Sequence, residues 1–434
     1  MTTNTMNGAS NASENSSSSG VRGRRRVLII GAGKCSVGST GLALAQGLKK
    51  AGIPFLIFEK EEEIPARERS WSMGLHWGFE PLQHLMPTEI LTQIKQAQVD
   101  PHVPTKDSDR LPLINGETGA LITEIKSSKL YRVRRDKFRA LLLQGLDVQW
   151  GKILSDIVYS PAGERVTAKF TDGSEVICSM LIATDGAHSM TRSLLVGEKA
   201  ARVTPIDFAS TMCFTQHTRE HALFLRAQPH HPLYQVATHP NGYCAWLSLL
   251  DGDDIDHPEN WVFFHYISFP ELRDHVNMRT TREHAAHQKE LARQFVDPWR
   301  SVFEWMPEDS KVLYSKLRNW DPSLPEHKWD NRQGRVTLAG DAAHPMTFQR
   351  GQGLNHAMKD AYTACKTIES FWNHGDFTIE QRAAAIQAYE EEMIARAGEE
   401  VRLSEENSVM VHNWANLMQS PVIIKGMKVE SQDA

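Results

Sequence analysis

The 434-residue sequence predicts an α/β fold. A parallel sheet of βαβ units starts near residue 25, is interrupted by a β-rich insert, and resumes near residue 335. Three observations predict it. The stretch "VLIIGAGKCSVGSTGLALAQGL" (27–48) runs apolar strand, glycines, helix, and a second apolar strand follows at 53–58. The stretch "RVTLAGDAAHPMTFQRGQGLNHAMKDAYTACKTIE" (335–369) repeats the order strand, loop, helix. Between them, from about 201 to 317, segments such as "GYCAWLSLL" (242–250) and "WVFFHYISF" (261–269) are rich in aromatic and β-branched residues and read as strands of a separate sheet.

The elements follow in order. Residues 1–24 hold a Ser- and Asn-rich stretch and then Arg22 and Arg24, and read as a disordered tail. Residues 27–30 are a fully apolar strand, and 42–50 a helix closed by Gly52. The strand at 53–58 ends at Glu59. "YRVRRDKFRALLLQGL" (131–146) predicts a strand and a helix. The runs 166–170 and 175–183 flank Thr171-Asp172-Gly173, a hairpin signal, and the second run leads into "ATDGAHS". Charged helical stretches are expected over about 271–303 and 378–407. The resulting division is a tail (1–24), a first nucleotide-binding segment (25–200), a β-rich substrate domain (201–325), a second nucleotide-binding segment (326–375) and a C-terminal helical region (376–434).

Composition narrows the class. Hydrophobic residues make up 41%, enough for a large core. A net charge of −5 argues against a nucleic-acid binder, which is usually basic. The five cysteines show no C-x-x-C spacing and read as reduced thiols of a cytoplasmic protein. No apolar run reaches the roughly 18 residues that span a bilayer, and the first twenty contain no apolar signal core.

The first glycine loop admits two readings. As an ATP-binding P-loop it would need Lys after Gly38, where Ser39 stands. As a dinucleotide loop it needs one glycine for the tight turn, one for approach to a pyrophosphate and one for helix–strand packing. Gly31, Gly33 and Gly41 supply these, and Glu59 stands about 20 residues on, where a carboxylate binds ribose hydroxyls. Removing "KCSVG" (34–38) restores a regular fingerprint, so the loop carries a five-residue insertion. That insertion either loops outward or blocks the helix N-terminus from the phosphates.

Three motifs in this order resemble the class A flavoprotein monooxygenases, the para-hydroxybenzoate hydroxylase-like group. They are the interrupted glycine loop ending at Glu59, "ATDGAHSMTR" (183–192), and "LAGDAAHPMTFQRGQGLNHAMKDA" (338–361). The resemblance implies a Rossmann-like FAD-binding domain (GR2-type) with an inserted β-sheet substrate domain and C-terminal helices. It implies that Gly340 and Asp341 meet the flavin ribityl chain, and that Gly351, Gly353 and Asn355 lie beside the isoalloxazine ring. Asp185 and Gly186 would sit near the FAD pyrophosphate, Arg135 would contact FAD from mid-domain, and Arg69 would lie near the pyrophosphate. His344 would pack beside the flavin; no partner histidine stands at metal-ligand spacing.

The implied activity is monooxygenation with O2, in which transiently bound NADPH or NADH reduces FAD and a C4a-hydroperoxyflavin transfers oxygen. The substrate would be a small aromatic, indole-like or polyene molecule of secondary metabolism, lined by Trp246 and residues 263–266. No side-chain nucleophile or metal is called for, and a monomer or homodimer is expected. A halogenase would carry a Trp-x-Trp-x-Ile-Pro segment, which this sequence lacks. The alternatives are a flavin-dependent reductase, or a catalytically impaired binding protein on the same scaffold because of the 34–38 insertion.

Overall fold

The computed structural model describes residues 25–32, 38–62, 71–227, 231–271, 278, 280–372 and 375–427. The 1–24 tail, Gly33, residues 34–37 of the insertion and Arg69 lie outside them.

The runs Val27–Ile30, Phe55–Phe58, Val148–Gln149, Met180–Ala183 and Val336–Leu338 form one parallel sheet. Val27–Ile30 is its central strand, with Phe55–Phe58 on one side and Met180–Ala183 on the other. Helices cover such a sheet on both faces, so its strands are continuously apolar rather than alternating. The unbroken burial of Val27–Ile30 and Met180–Ala183 fits that. The chain leaves the central strand in both lateral directions, which creates a switch point where strand ends face a crevice.

The β-rich part is a seven-stranded sheet in the order Leu313–Asn319, Thr204–Thr215, Val262–Pro270, Tyr243–Asp251, Tyr234–His239, Ser108–Asn115, Leu121–Ser128. It therefore recruits two strands from the segment before residue 200 as well as the insert. Each sheet has its own hydrophobic core, one around Leu28, Ile182 and Met358, the other around Ala237, Ile267 and Phe303. A two-stranded ribbon, Ser72–Leu75 with Tyr131–Arg134, packs Leu75, Tyr131 and Val133 into the first core, and Leu130 just before it enters the second.

Some boundaries differ from expectation. The run 175–183 is two strands, Glu175–Cys178 in a three-stranded meander and Met180–Ala183 in the parallel sheet, parted at Ser179. The stretch 271–303 holds two helices, Thr281–Ala292 and Trp299–Glu304. The first helix begins at Gly38, four residues before the apolar periodicity that announces it.

The long helix Ile379–Met410 starts with a capping box between Thr378 and Gln381 and ties the parts together. Its buried Arg382 donates to the carbonyls of Gly163, Glu164, Ser179 and Gln333. Tyr389 donates to the Leu338 carbonyl at 3.0 Å. Just past its end, His412 meets Ser268 of the large sheet at 2.8 Å.

Candidate active site at the carboxyl edge of the parallel sheet

The three sequence motifs converge because each follows a strand of the parallel sheet. Gly31 follows Val27–Ile30, Glu59 follows Phe55–Phe58, Asp185 and Gly186 follow Met180–Ala183, and Gly340 and Asp341 follow Val336–Leu338. All leave by the carboxyl end, so residues some 150 positions apart line one edge. A cleft there is lined by Gly31, Gly38, Glu59, Lys60, Asp185 and His188 among others.

The glycine loop is held tightly. Gly31 has φ +110°, and a Cβ there would stand 2.4 Å from the Thr184 carbonyl oxygen. A Cβ on Gly41 would stand 2.1 Å from the Gly31 oxygen, so helix and strand meet only because that position is bare. Thr184 completes the turn, donating its hydroxyl to the Gly31 carbonyl at 2.7 Å.

Within the helix, Gly38-Ser39-Thr40-Gly41 forms the first turn. Gly38 thus stands at the helix start three residues before Gly41, the spacing of the fingerprint's middle glycine, while Gly33 lies outside the described residues. Deleting 33–37 or 34–38 leaves the same string, so only the helix start distinguishes them. The inserted residues then precede the helix, and its N-terminus stays at the cleft.

Glu59 is buried, and its carboxylate accepts from the Ala32 N–H at 2.8 Å and the Glu61 N–H at 3.1 Å. Burial raises its pKa, against these two bonds that lower it. Asp185 accepts from the Thr191 N–H at 3.1 Å with one oxygen, while the other is buried with no partner among the described residues. Burial raises its pKa too.

Arg192, the last residue of the second motif, donates to the Ala342 carbonyl at 2.9 Å and so ties the second motif to the third. Its guanidinium stacks on Trp320, 4.8 Å from the ring centre.

In the third motif, Gly340 and Gly351 take positive φ, as does Gly186 in the second. Gly353 opens the helix Gly353–Phe371. Asn355 spends its whole amide on the protein. Its oxygen accepts from the N–H groups of His76 and Gly78, and its nitrogen donates to the Gly74 and Gly351 carbonyls. An amide has about that capacity and no more, so Asn355 fixes the loop against the ribbon.

His344 is fully buried and hydrogen-bonded through Nε2 to Asp360 at 2.5 Å. Asp360 also accepts from the Gly340 N–H at 2.8 Å and from Arg396 at 2.7 Å. Burial alone would raise the Asp360 pKa; His344 and Arg396 overcome it and hold the carboxyl well below the usual range. Among the described residues no group of three ligating side chains could hold a metal.

Arg135 is buried, with its guanidinium 4.6 Å from the Trp71 ring centre. One turn on, Arg139 donates to the Ala32 carbonyl at 3.0 Å. The sequence reading passed over Arg139, Thr184 and Asp360, and met Gly38 only as part of the insertion and of a P-loop pattern. Arg139 lay within the same "RRDKFRALL" run and shares the face of Arg135 at i+4 spacing.

A bound FAD fits these residues. Ser39 and Thr40 in the first helical turn have buried hydroxyls with no partner among the described residues. That turn carries no acidic residue. Such a helix start suits a pyrophosphate, and the buried Glu59 carboxylate suits ribose hydroxyls.

Comparison with known proteins gives the same answer. A family model described as an FAD binding domain matches residues 323–403. The FAD-dependent monooxygenase cctM of Talaromyces islandicus is 37% identical over 407 residues, 94% of this chain and 98% of that protein. The FAD-dependent monooxygenase phnB of Penicillium herquei is 38% identical, covering 92% of this chain and 94% of its own. The crystal structure of Klebsiella pneumoniae HpxO complexed with FAD and uric acid shares the fold at TM-score 0.69 and 20% identity, over 94% of this chain and 93% of its own. That of FqzB does so at TM-score 0.70 and 16% identity, over 94% and 89%. Similar to named monooxygenases across nearly its whole length, the chain belongs to the FAD-dependent monooxygenases and is an oxidoreductase that uses FAD.

Proposed function

We propose that this enzyme uses NADPH or NADH, and O2, to hydroxylate or epoxidise a small electron-rich organic molecule in secondary metabolism. The observation that carries the reading is the meeting of two unlike surfaces. The glycines and carboxylates at the carboxyl edge of the parallel sheet suit phosphates and ribose, and the seven-stranded sheet carries the aromatic row Tyr234, Trp246 and Tyr266, which Phe348 of the third motif touches. FAD supplies the oxygen transfer and the electron storage when it is bound.

The chain's own residues would do the rest. Gly31, Gly38 and Gly41, with the start of the helix they open, receive the pyrophosphate, and Glu59 the ribose. Asp341 accepts from the ribityl hydroxyls. Asp185 and Gly186 border the pyrophosphate, and Arg135 and Arg139 brace the glycine loop from below. The Gly353–Phe371 helix aims its positive end at the ring edge where negative charge gathers on reduction. Gly351, pinned by Asn355, brings bare backbone to the ring.

The relatives named above come from fungi, which suits a role in secondary metabolism. The test is turnover. Purified protein with FAD should oxidise NADPH or NADH faster when its substrate is present, and one atom of labelled O2 should enter the product. Substrate reduced or unchanged, with no label incorporated, would refute the reading.

A further inference from the structure

Arg132 stands in the middle of the ribbon strand Tyr131–Arg134, paired with Gly74. Its neighbour two residues on, Arg134, is matched by Asp251 and Asp136. Arg132 has no such match: among the described residues no carboxylate pairs with it, and its Nε is buried without a hydrogen bond. Its contacts are rings. The guanidinium lies 5.0 Å from the Trp246 ring centre and 5.8 Å from that of Tyr234. Burial lowers its pKa to about 10, although the residue keeps some accessible surface. Asp109, which holds the Tyr234 hydroxyl at 2.9 Å, is already engaged by His231 and the Arg110 N–H.

The surroundings repeat the pattern. Tyr234, Trp246 and Tyr266 form a stacked row across neighbouring strands, with centroids 5.9 and 6.3 Å apart. The Trp246 indole N–H is buried with no acceptor. The Tyr266 hydroxyl makes no hydrogen bond among the described residues, and burial drives its pKa up, so it remains a neutral donor. Three donor groups with no acceptor therefore share one apolar wall. Leaving a guanidinium unpaired in such a place is costly unless something completes it.

The wall adjoins the flavin loop at two points. Phe348 of that loop meets Tyr266 edge-on at 5.1 Å. Gly74, where an added Cβ would stand 3.9 Å from an Arg132 guanidinium nitrogen, accepts from Asn355 through its carbonyl at 3.0 Å.

We propose that Arg132, with the Trp246 indole N–H and the Tyr266 hydroxyl, receives an anionic oxygen of the substrate, so that the enzyme selects acidic aromatic molecules in their enolate, phenolate or carboxylate form. A planar guanidinium presents a fork of donors to an anionic oxygen. The rings offer stacking faces to an aromatic body. The inference rests on the proposed function for the identity of the ligand as a substrate. The assignment of an anion subsite is tested without turnover.

The experiment is binding to the FAD-loaded, oxidised protein with no reductant present, followed by flavin absorbance and calorimetry. Two matched pairs serve as probes: lawsone, an enolate at neutral pH, with its neutral methyl ether, and naphthoate with its methyl ester. The wild type should favour at least one anion over its neutral partner by about tenfold or more, the range of a charge-assisted hydrogen bond. Preference for lawsone alone assigns an enolate or phenolate ligand, and for naphthoate alone a carboxylate. Arg132→Met should erase the preference while retaining flavin, and Arg132→Lys should restore part of it. Equal binding of anion and neutral partner by the wild type would overturn the proposal, whatever the variants do. So would an Arg132→Met protein that keeps the preference. Failure of NAD(P)H oxidation would instead strike the proposed function and leave the anion measurement standing.

Discussion

Gly41→Ala sets two effects of opposite sign against each other. Helix propensity favours alanine over glycine in a helix by about 1 kcal/mol. Against that, the new Cβ would stand 2.1 Å from the Gly31 carbonyl oxygen and 2.5 Å from Thr184 Oγ1. Relief requires a shift of about 1 Å or more, since carbon contacts settle near 3.5 Å. The Gly31 oxygen cannot yield alone, because Thr184 holds it at 2.7 Å and the Gly31 N–H is bonded to Phe58 at 2.8 Å. The helix must retreat, and overpacking of this kind costs about 1–3 kcal/mol or more. The clash should win, leaving a net loss of up to about 2 kcal/mol in denaturant unfolding. The retreat also draws the helix N-terminus from the phosphates, so FAD affinity should fall by about tenfold or more. Titration of apoprotein with FAD and urea unfolding read the two effects. A Gly41→Ala protein that gains stability and binds FAD like the wild type would refute the close-approach argument. Gly353→Ala, with nothing within 4 Å of its added Cβ, should not lose stability.

Other predictions follow from the same structure. Removing the five-residue insertion should leave a protein that binds FAD at least as tightly as the full chain, by fluorescence titration; loss of binding would show that the insertion is part of the site. Asp360→Asn should cost about 3–5 kcal/mol, because it breaks the buried ion pair with Arg396, which then keeps only Glu392, and puts an amide among groups that now donate to a carboxylate. Asp360 has a depressed pKa in the folded state, so its contribution is full above the unfolded value near 3.9 and is lost as pH falls below it. The Asn variant should lack that part of the acid-unfolding slope. The buried His76 and His412, with pKa values lowered by burial to about 4, act in the same direction at higher pH. Each binds a proton in the unfolded chain near pH 6.5 but not in the folded one, so stability should rise from pH 4 to 6.5. Urea midpoints across that range test it, and a flat profile would contradict the buried neutral imidazoles.

Much of this architecture was legible from the chain alone. Val27–Ile30 read as a strand because no polar residue interrupts it, and so did the run 175–183, whose division at Ser179 into two strands did not show. Gly31, Glu59, Asp185, Gly340 and Asp341 could be picked out because a carboxylate or glycine directly after such a strand has few structural uses. What stayed hidden depends on long-range contact. Asp360 looks like an ordinary helical carboxylate until the fold brings it beside His344, Gly340 and Arg396. Asn355 looks like an uncommitted amide until its four bonds turn out to be spent on Gly74, His76, Gly78 and its own loop. The two strands at Ser108–Asn115 and Leu121–Ser128 join a sheet otherwise built a hundred residues later, and local pattern carries no record of that partner. Arg132 sits two residues from Arg134 in one short strand, and only the acidic partners of the second tell them apart.

The central claim is that the carboxyl edge of the parallel sheet holds FAD despite the lengthened loop. The most direct measurement is the flavin content of protein reconstituted with FAD and then stripped of free cofactor by gel filtration, for the wild type and for Gly31→Ala. Gly31 has φ +110° and no room for a Cβ beside Thr184. The account predicts one flavin per chain in the wild type and little in a folded Gly31→Ala variant. A wild-type chain that is folded but retains no flavin would contradict it, and so would a Gly31→Ala chain that retains as much flavin as the wild type.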